Sequence, residues 1–173
     1  ATNKEKGEYH YELVDKGLRP QKPQLDEFDS EQEFQTVMYH WLMYNNKKSL
    51  FYWYSKSKEL ENKVADLFQS KGFQVSITGG PNDQGIDLRA IKNRTLFLVQ
   101  CKGWSKQVGT APIREAIGIK TAEAANFVVI SPQGFSGPAI RLAREQDVIL
   151  LDATGLTNIV RDRPSPLDAA NIL

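Results

Sequence analysis

Cysteine and histidine are scarce in this sequence, and that scarcity closes off whole classes of chemistry. Cys101 is the single cysteine among 173 residues, so no internal disulfide can form, in keeping with a reducing compartment. His10 and His40 are the only histidines, too few for a Cys/His zinc cluster and a poor basis for histidine-centred catalysis. Long hydrophobic runs are missing as well. No apolar stretch approaches the roughly 18 residues of a membrane-spanning helix. The opening residues, ATNKEKGEYHYE, lack the apolar segment of a secretory signal, and the expected location is the cytoplasm. Nor does charge of one sign accumulate: 22 basic and 21 acidic residues leave a net charge of +1, so the chain as a whole is no polycation. What remains, 40% hydrophobic and 25% charged, is the composition of a globular domain with a real core.

The charge is unevenly spread. Residues 1–57 carry a net −1, residues 58–120 a net +4 and residues 121–173 a net −2. A local basic surface can attract a polyanion without making the whole chain adhesive, although a difference of this size is also what an ordinary solvated face carries.

Three regions follow from the punctuation: an arm with an amphipathic helix over 1–57, a main domain over 58–160 and a tail over 161–173. RPQKPQ, at 19–24, breaks regular structure. From Ser30, with Glu33 placed for a capping box, Phe34, Val37, Met38, Trp41 and Leu42 recur at helical spacing, and Asn45-Asn46 is the expected stop. The aromatic cluster in SLFYWYSKSK either packs a helix or stacks on a ligand. In the main domain, Leu60, Val64, Leu67 and Phe68 form one helical stripe that Gly72 ends. At about 100° per residue, Glu61 lies on the flank of that stripe and Glu59 towards solvent. Three short segments, FQVSIT, IDLRAI and TLFLVQC, read as sequential antiparallel strands, with KNR as the turn between the last two. A helix beginning near Pro112, a strand at NFVVIS, a helix in SGPAIRLAREQD and a buried strand at VILLD complete the expected order α-β-β-β-α-β-α-β.

One polar set interrupts this pattern. Side chains alternate along a strand, so Gln100 and Lys102 project together, and Asp87 and Arg89 share a face of the strand before. Pairing of those strands brings Asp87 near Gln100 and Lys102, and Glu61 can approach from the packed helix. Two carboxylates, an amide oxygen and the backbone carbonyl of Cys101 suit a hard cation such as Mg²⁺, with no soft donor to favour zinc. A metal so held can polarise a phosphodiester and acidify a bound water, while a nearby lysine orients the nucleophile or neutralises charge.

The stretch NDQGIDLRAIKNRTLFLVQCKGW resembles the core of the PD-(D/E)xK nuclease superfamily, in the Q-x-K variant of Mrr-like restriction endonuclease domains. The likeness runs from LENKVADLFQSKGFQV through VGTAPIREAIG to FVVISPQGFSGPAIRLAREQDVILLDATGL, roughly residues 58–156. The resemblance implies an α/β restriction-endonuclease-like sandwich with a mixed central sheet flanked by helices. It also implies cleavage of DNA with Mg²⁺, for which Mn²⁺ can substitute. It assigns metal ligation to Asp87 and Gln100, the catalytic lysine to Lys102 and an assisting acid to Glu61. Gln100 stands where the superfamily has Asp or Glu, so the site holds one negative charge fewer and its metal more weakly unless Glu61 contributes. The implied location narrows to the nucleoid, or to an organelle or the nucleus in a eukaryotic cell.

Plainer roles stay open for each residue. Asp87 can cap backbone amides after the glycines, Lys102 can reach to water, Gln100 can serve a neighbouring strand, and Glu61 can be an ordinary helix-flank acid. Asp83 reads as a turn residue and Cys101 as a small core residue. Trp104, Lys106 and Arg114 are the candidate DNA contacts, with Ser131 and Gln133 behind them. A homodimer, or a protein partner engaged through residues 30–57, is the expected assembly. The competing functions are a junction resolvase of the same fold and a DNA-binding or interaction module that cuts nothing.

Overall fold

The computed structural model describes residues 22–47, 57–78, 85–103 and 106–170. The chain forms two compact units, Ala1–Ser55 and Lys56–Leu173.

In the first unit a 3₁₀ turn, Leu25–Glu27, precedes helix α1, Glu31–Lys47. The Ser30 hydroxyl accepts the Glu33 amide at 3.1 Å, capping donors that the first helical turn leaves unused. Phe28 stacks at 5.8 Å on Phe34 across that cap, a hydrophobic brace on the helix entry. The helix ends at Lys47, one residue past the expected stop at Asn45-Asn46. The aromatic cluster at 51–54 lies outside the described residues.

The second unit is built on one five-stranded sheet in the order β1-β2-β3-β4-β5: Gln74–Ile77, Leu88–Lys92, Thr95–Cys101, Asn126–Ile130 and Ile149–Leu151. The first three strands are antiparallel neighbours; β3, β4 and β5 run parallel. This is the expected α/β architecture with a mixed sheet and flanking helices. The β2–β3 turn is tighter than KNR suggests. Lys92 still pairs with Thr95, and Asn93 and Arg94 alone turn the chain, with φ of 52° and 63°. Two positive φ values in a two-residue loop match the right-handed twist of the paired strands.

Helices pack on both faces of the sheet, while Ile77 of β1 and Ile91 of β2 stay exposed. Helix α2, Ser57–Ser70, packs on the first three strands, with Leu60, Val64 and Phe68 fully buried. It ends in a Schellman turn: the Phe73 amide reaches back to Phe68 O and the Gly72 amide to Gln69 O. Phe73 then stacks at 5.0 Å on Phe68 and meets Phe97 of β3 edge-on at 5.6 Å, joining helix to sheet. Leu98, Phe127 and Val129 on the opposite face form a core with Ile113, Ala116, Ala139 and Ala143 of helices α3, Thr110–Glu123, and α4, Gly137–Glu145. Ser136 caps α4 through a hydrogen bond from the Ala139 amide.

Two helices follow the last strand where none was expected: α5, Ala153–Val160, and α6, Pro166–Ala170. Asp152, at the end of VILLD, is the cap of α5, its carboxylate accepting the Gly155 amide at 2.8 Å. At Gly155 a Cβ would sit 3.2 Å from the Leu151 side chain, so the glycine lets α5 press against β5. Pro166 opens α6, where its missing amide proton costs nothing.

Candidate active site

Asp87 lies just before β2 and is pinned between two strands. Its amide donates to Val99 O at 2.9 Å and its carbonyl accepts the Thr78 amide at 2.9 Å. Its carboxylate Oδ2 accepts the Cys101 amide at 2.7 Å, a charge-assisted bond across the sheet end. Oδ1 has no hydrogen bond among the described residues. The β2–β3 ladder ends at the pair Leu88 and Val99, and Asp87 follows it with its amide on Val99 O and its carboxylate on the Cys101 amide, the residues on either side of Gln100.

Gln100 is only 4% exposed, and its Oε1 is buried with no hydrogen-bond partner. An acceptor left in that state costs on the order of 1–3 kcal/mol, so a core would be served better by leucine. The amide is not spent on a neighbouring strand. Lys102 extends the parallel ladder by one residue, its amide donating to Ile130 O at 2.8 Å, and is half-buried.

Glu61 is half-buried on α2. Its nearness shows in Cys101: burial pushes that thiol's pKa well up, and the charges of Asp87 and then Glu61 raise it further. Interior charges act so on groups a few ångströms away, so both carboxylates lie near Cys101. Cys101 is thus a buried protonated thiol, the small core residue the sequence suggests, and no nucleophile. Glu59 departs from the helical-wheel expectation, since its Oε2 is buried.

Among the described residues no three His, Cys, Asp or Glu side chains are grouped to hold a metal. A cation here would rest on Asp87 and Glu61 with the Gln100 amide oxygen and the Cys101 carbonyl, all hard oxygens. The orphaned Gln100 Oε1 and the unspent Asp87 Oδ1 are what such a cation needs, and the donor set fits Mg²⁺ rather than zinc.

Lys106 and Arg114 are exposed beyond the same sheet end, and Trp104 lies outside the described residues, as does Asp83. The segment carrying Lys106 is anchored at Val108, whose amide donates to Gly134 O and whose carbonyl accepts the Ser136 amide. Helix α3 begins just after with no acidic residue in its first turn and no side-chain cap. Ser131 is fully buried, its hydroxyl donating to Gly134 O at 3.0 Å within a tight turn, so it is a turn residue with no access to a ligand. Gly85 is the site residue the sequence passes over: a Cβ there would come within 2.8 Å of Gln100 Nε2. A cavity of about 690 Å³ sits at the opposite sheet end, between Lys120, Ile140, Arg144 and Ile149, and holds none of the predicted residues.

The Mrr_cat family, described as a restriction endonuclease, matches residues 55–160. No curated protein sequence matches the chain. Among solved structures, a protein of unknown function, AF1548, is 18% identical over 52% of this chain and 54% of its own, with a TM-score of 0.45. Protein VC1899 from Vibrio cholerae is 14% identical over 78% of this chain and 35% of its own, at 0.44. The MspJI restriction endonuclease, solved in complex with a 27-mer oligonucleotide, is 16% identical over 78% and 33%, at 0.48. The chain thus spans between a third and about half the length of these structures. With a family match over more than half its length, laid on the domain that carries Asp87, Gln100 and Lys102, this chain belongs to the Mrr_cat restriction endonuclease family and has its restriction-endonuclease-like fold.

Proposed function

We propose that the chain is a Mg²⁺-dependent endonuclease that hydrolyses phosphodiester bonds of DNA, in restriction and defence or in DNA maintenance. The observation that carries this is the buried, unpartnered carbonyl oxygen of Gln100, next in the chain to the Cys101 amide that Asp87 accepts, in a domain of a nuclease family. Asp87, Gln100, Glu61 and the Cys101 carbonyl would hold the metal. When bound, it supplies charge to polarise the phosphodiester and acidify a water. Asp87 is the rigid member of the set, because its backbone and Oδ2 are fixed by Thr78, Val99 and Cys101 while Oδ1 stays available. Lys102 places an ammonium at the same sheet end, where it orients the attacking water and offsets the negative charge that builds on the phosphate. Lys106, Arg114 and Trp104 would contact the DNA backbone. A homodimer, and a protein partner on residues 30–57, are part of the same proposal.

The test is cleavage of supercoiled plasmid and branched DNA with Mg²⁺, Mn²⁺ or chelator. Asp87→Asn is the variant to use, since its amide oxygen can still accept the Cys101 amide; Lys102→Ala removes the ammonium. Metal-dependent cutting reduced by about 100-fold or more in both folded variants is expected. Preference for branched substrates would favour the junction resolvase. DNA binding without cutting under any metal would sink the nuclease and leave a binding module.

A further inference from the structure

Gly85 stands two residues before Asp87 with φ of +81°, a backbone conformation that L side chains rarely adopt. A Cβ built there would lie 2.8 Å from Nε2 and 3.9 Å from the amide carbon of Gln100. No real carbon sits that close, so a side chain at 85 must drive the amide away. Gln100 is almost wholly enclosed, and no hydrogen bond holds its Oε1. What orients the amide is therefore contact: backbone at Gly85 against the nitrogen side, which leaves the carbonyl oxygen as the free end.

We propose that Gly85 is a positioning residue whose missing Cβ lets the backbone close on the Gln100 amide and so hold Gln100 Oε1 as a metal donor beside Asp87. This role rests on the metal-dependent function proposed above. It differs from a purely structural glycine in acting through one side chain, and a backbone effect relayed along the chain to Asp87 is the alternative to separate from it.

The experiment uses the full chain and Mn²⁺ as the probe, with affinity read by titration calorimetry for wild type, Gly85→Ala, Gln100→Ala and the double variant. Gly85→Ala is expected to weaken Mn²⁺ binding by about 10-fold or more, the scale on which supporting residues tune metal sites. In the Gln100→Ala background the same change is expected to cost nothing further. Equal affinity in wild type and Gly85→Ala overturns the role, and so does an equal loss in both backgrounds, which would trace the effect to backbone and Asp87. Should Gly85→Ala not fold, Gly85→Asn carries the same Cβ on a residue that tolerates positive φ. The side-chain amide resonances of Gln100 in the metal-free protein give a second reading, and they are expected to move in the Gly85 variant. If wild type binds no Mn²⁺ at all, the proposed function fails, and those resonances alone decide on Gly85: unmoved signals overturn it.

Discussion

Gln100 has a side chain that works against stability where it stands. Its amide oxygen is buried and accepts nothing, a deficit of on the order of 1–3 kcal/mol that leucine of similar size would not carry. Gln100→Leu is accordingly expected to match wild type or exceed it by about 1 kcal/mol in chemical denaturation with chelator present, while binding metal more weakly and cutting less. A loss of more than about 1 kcal/mol would mean that the amide has a structural partner. Cys101 shows the opposite pattern, a group whose environment suits it only when neutral. Its folded pKa is raised by burial, then by Asp87 and Glu61. The fold thus binds the thiol proton more tightly than the unfolded chain does. The resulting stability is fully present below the ordinary thiol pKa of about 8.5 and drains away as pH climbs towards the folded value. Denaturation midpoints should fall between about pH 8 and pH 10 in wild type, and Cys101→Ala should lose that part of the slope. Iodoacetamide at about pH 8 should label the thiol only after unfolding.

At the scale of elements, the β2–β3 hairpin was the most legible part of the chain. Alternation along TLFLVQC and a short turn fix the register, which runs from Lys92 and Thr95 to Leu88 and Val99. Gly72 marked the end of α2 for a similarly local reason, because a Schellman turn needs its positive φ. What failed to show was tertiary. Helix α5 exists because Asp152 caps it and Gly155 nestles on Leu151, and neither fact can be read without the neighbouring strand. Gly85 was hidden for the same reason, since the atom it accommodates lies 15 residues along the chain. Glu59 was misjudged because a wheel takes no account of what packs around the helix, and its Oε2 is buried. The termination of α3 offers a test at this scale. Ala124 adopts φ of 50° while its amide closes on Lys120 O, a position where glycine is unstrained. Ala124→Gly is expected to stabilise the protein by about 0.5–1 kcal/mol, seen as a rise in thermal midpoint with unchanged metal affinity. A fall in the midpoint would mean that the added freedom of the unfolded chain outweighs the relieved strain.

Over the whole molecule the decisive quantity is where charge sits, because a net +1 conceals a local +4 over residues 58–120. The candidate site, Lys106 and Arg114 all belong to that segment, whereas the segments on either side are net negative. If this is a DNA-facing surface, association should weaken steeply with added salt, by a log–log slope of about −0.9 per phosphate neutralised. Lys106→Ala and Arg114→Ala should then each flatten the slope by about 0.9 and weaken binding alike for every DNA sequence, since phosphate contacts carry no base information. Mn²⁺ affinity without DNA should stay at its wild-type value in both, because neither side chain supplies an oxygen donor. Gln100→Leu should do the reverse, weakening metal binding while keeping the salt slope. Anisotropy titrations of a labelled duplex across a salt series read both effects, and an unchanged slope in the Lys106 and Arg114 variants would mean that their charge is only a solvated face. On the proposed function the two sets of variants separate a part that would grip the polyanion from a part that would cut it, and each set carries a control for the other.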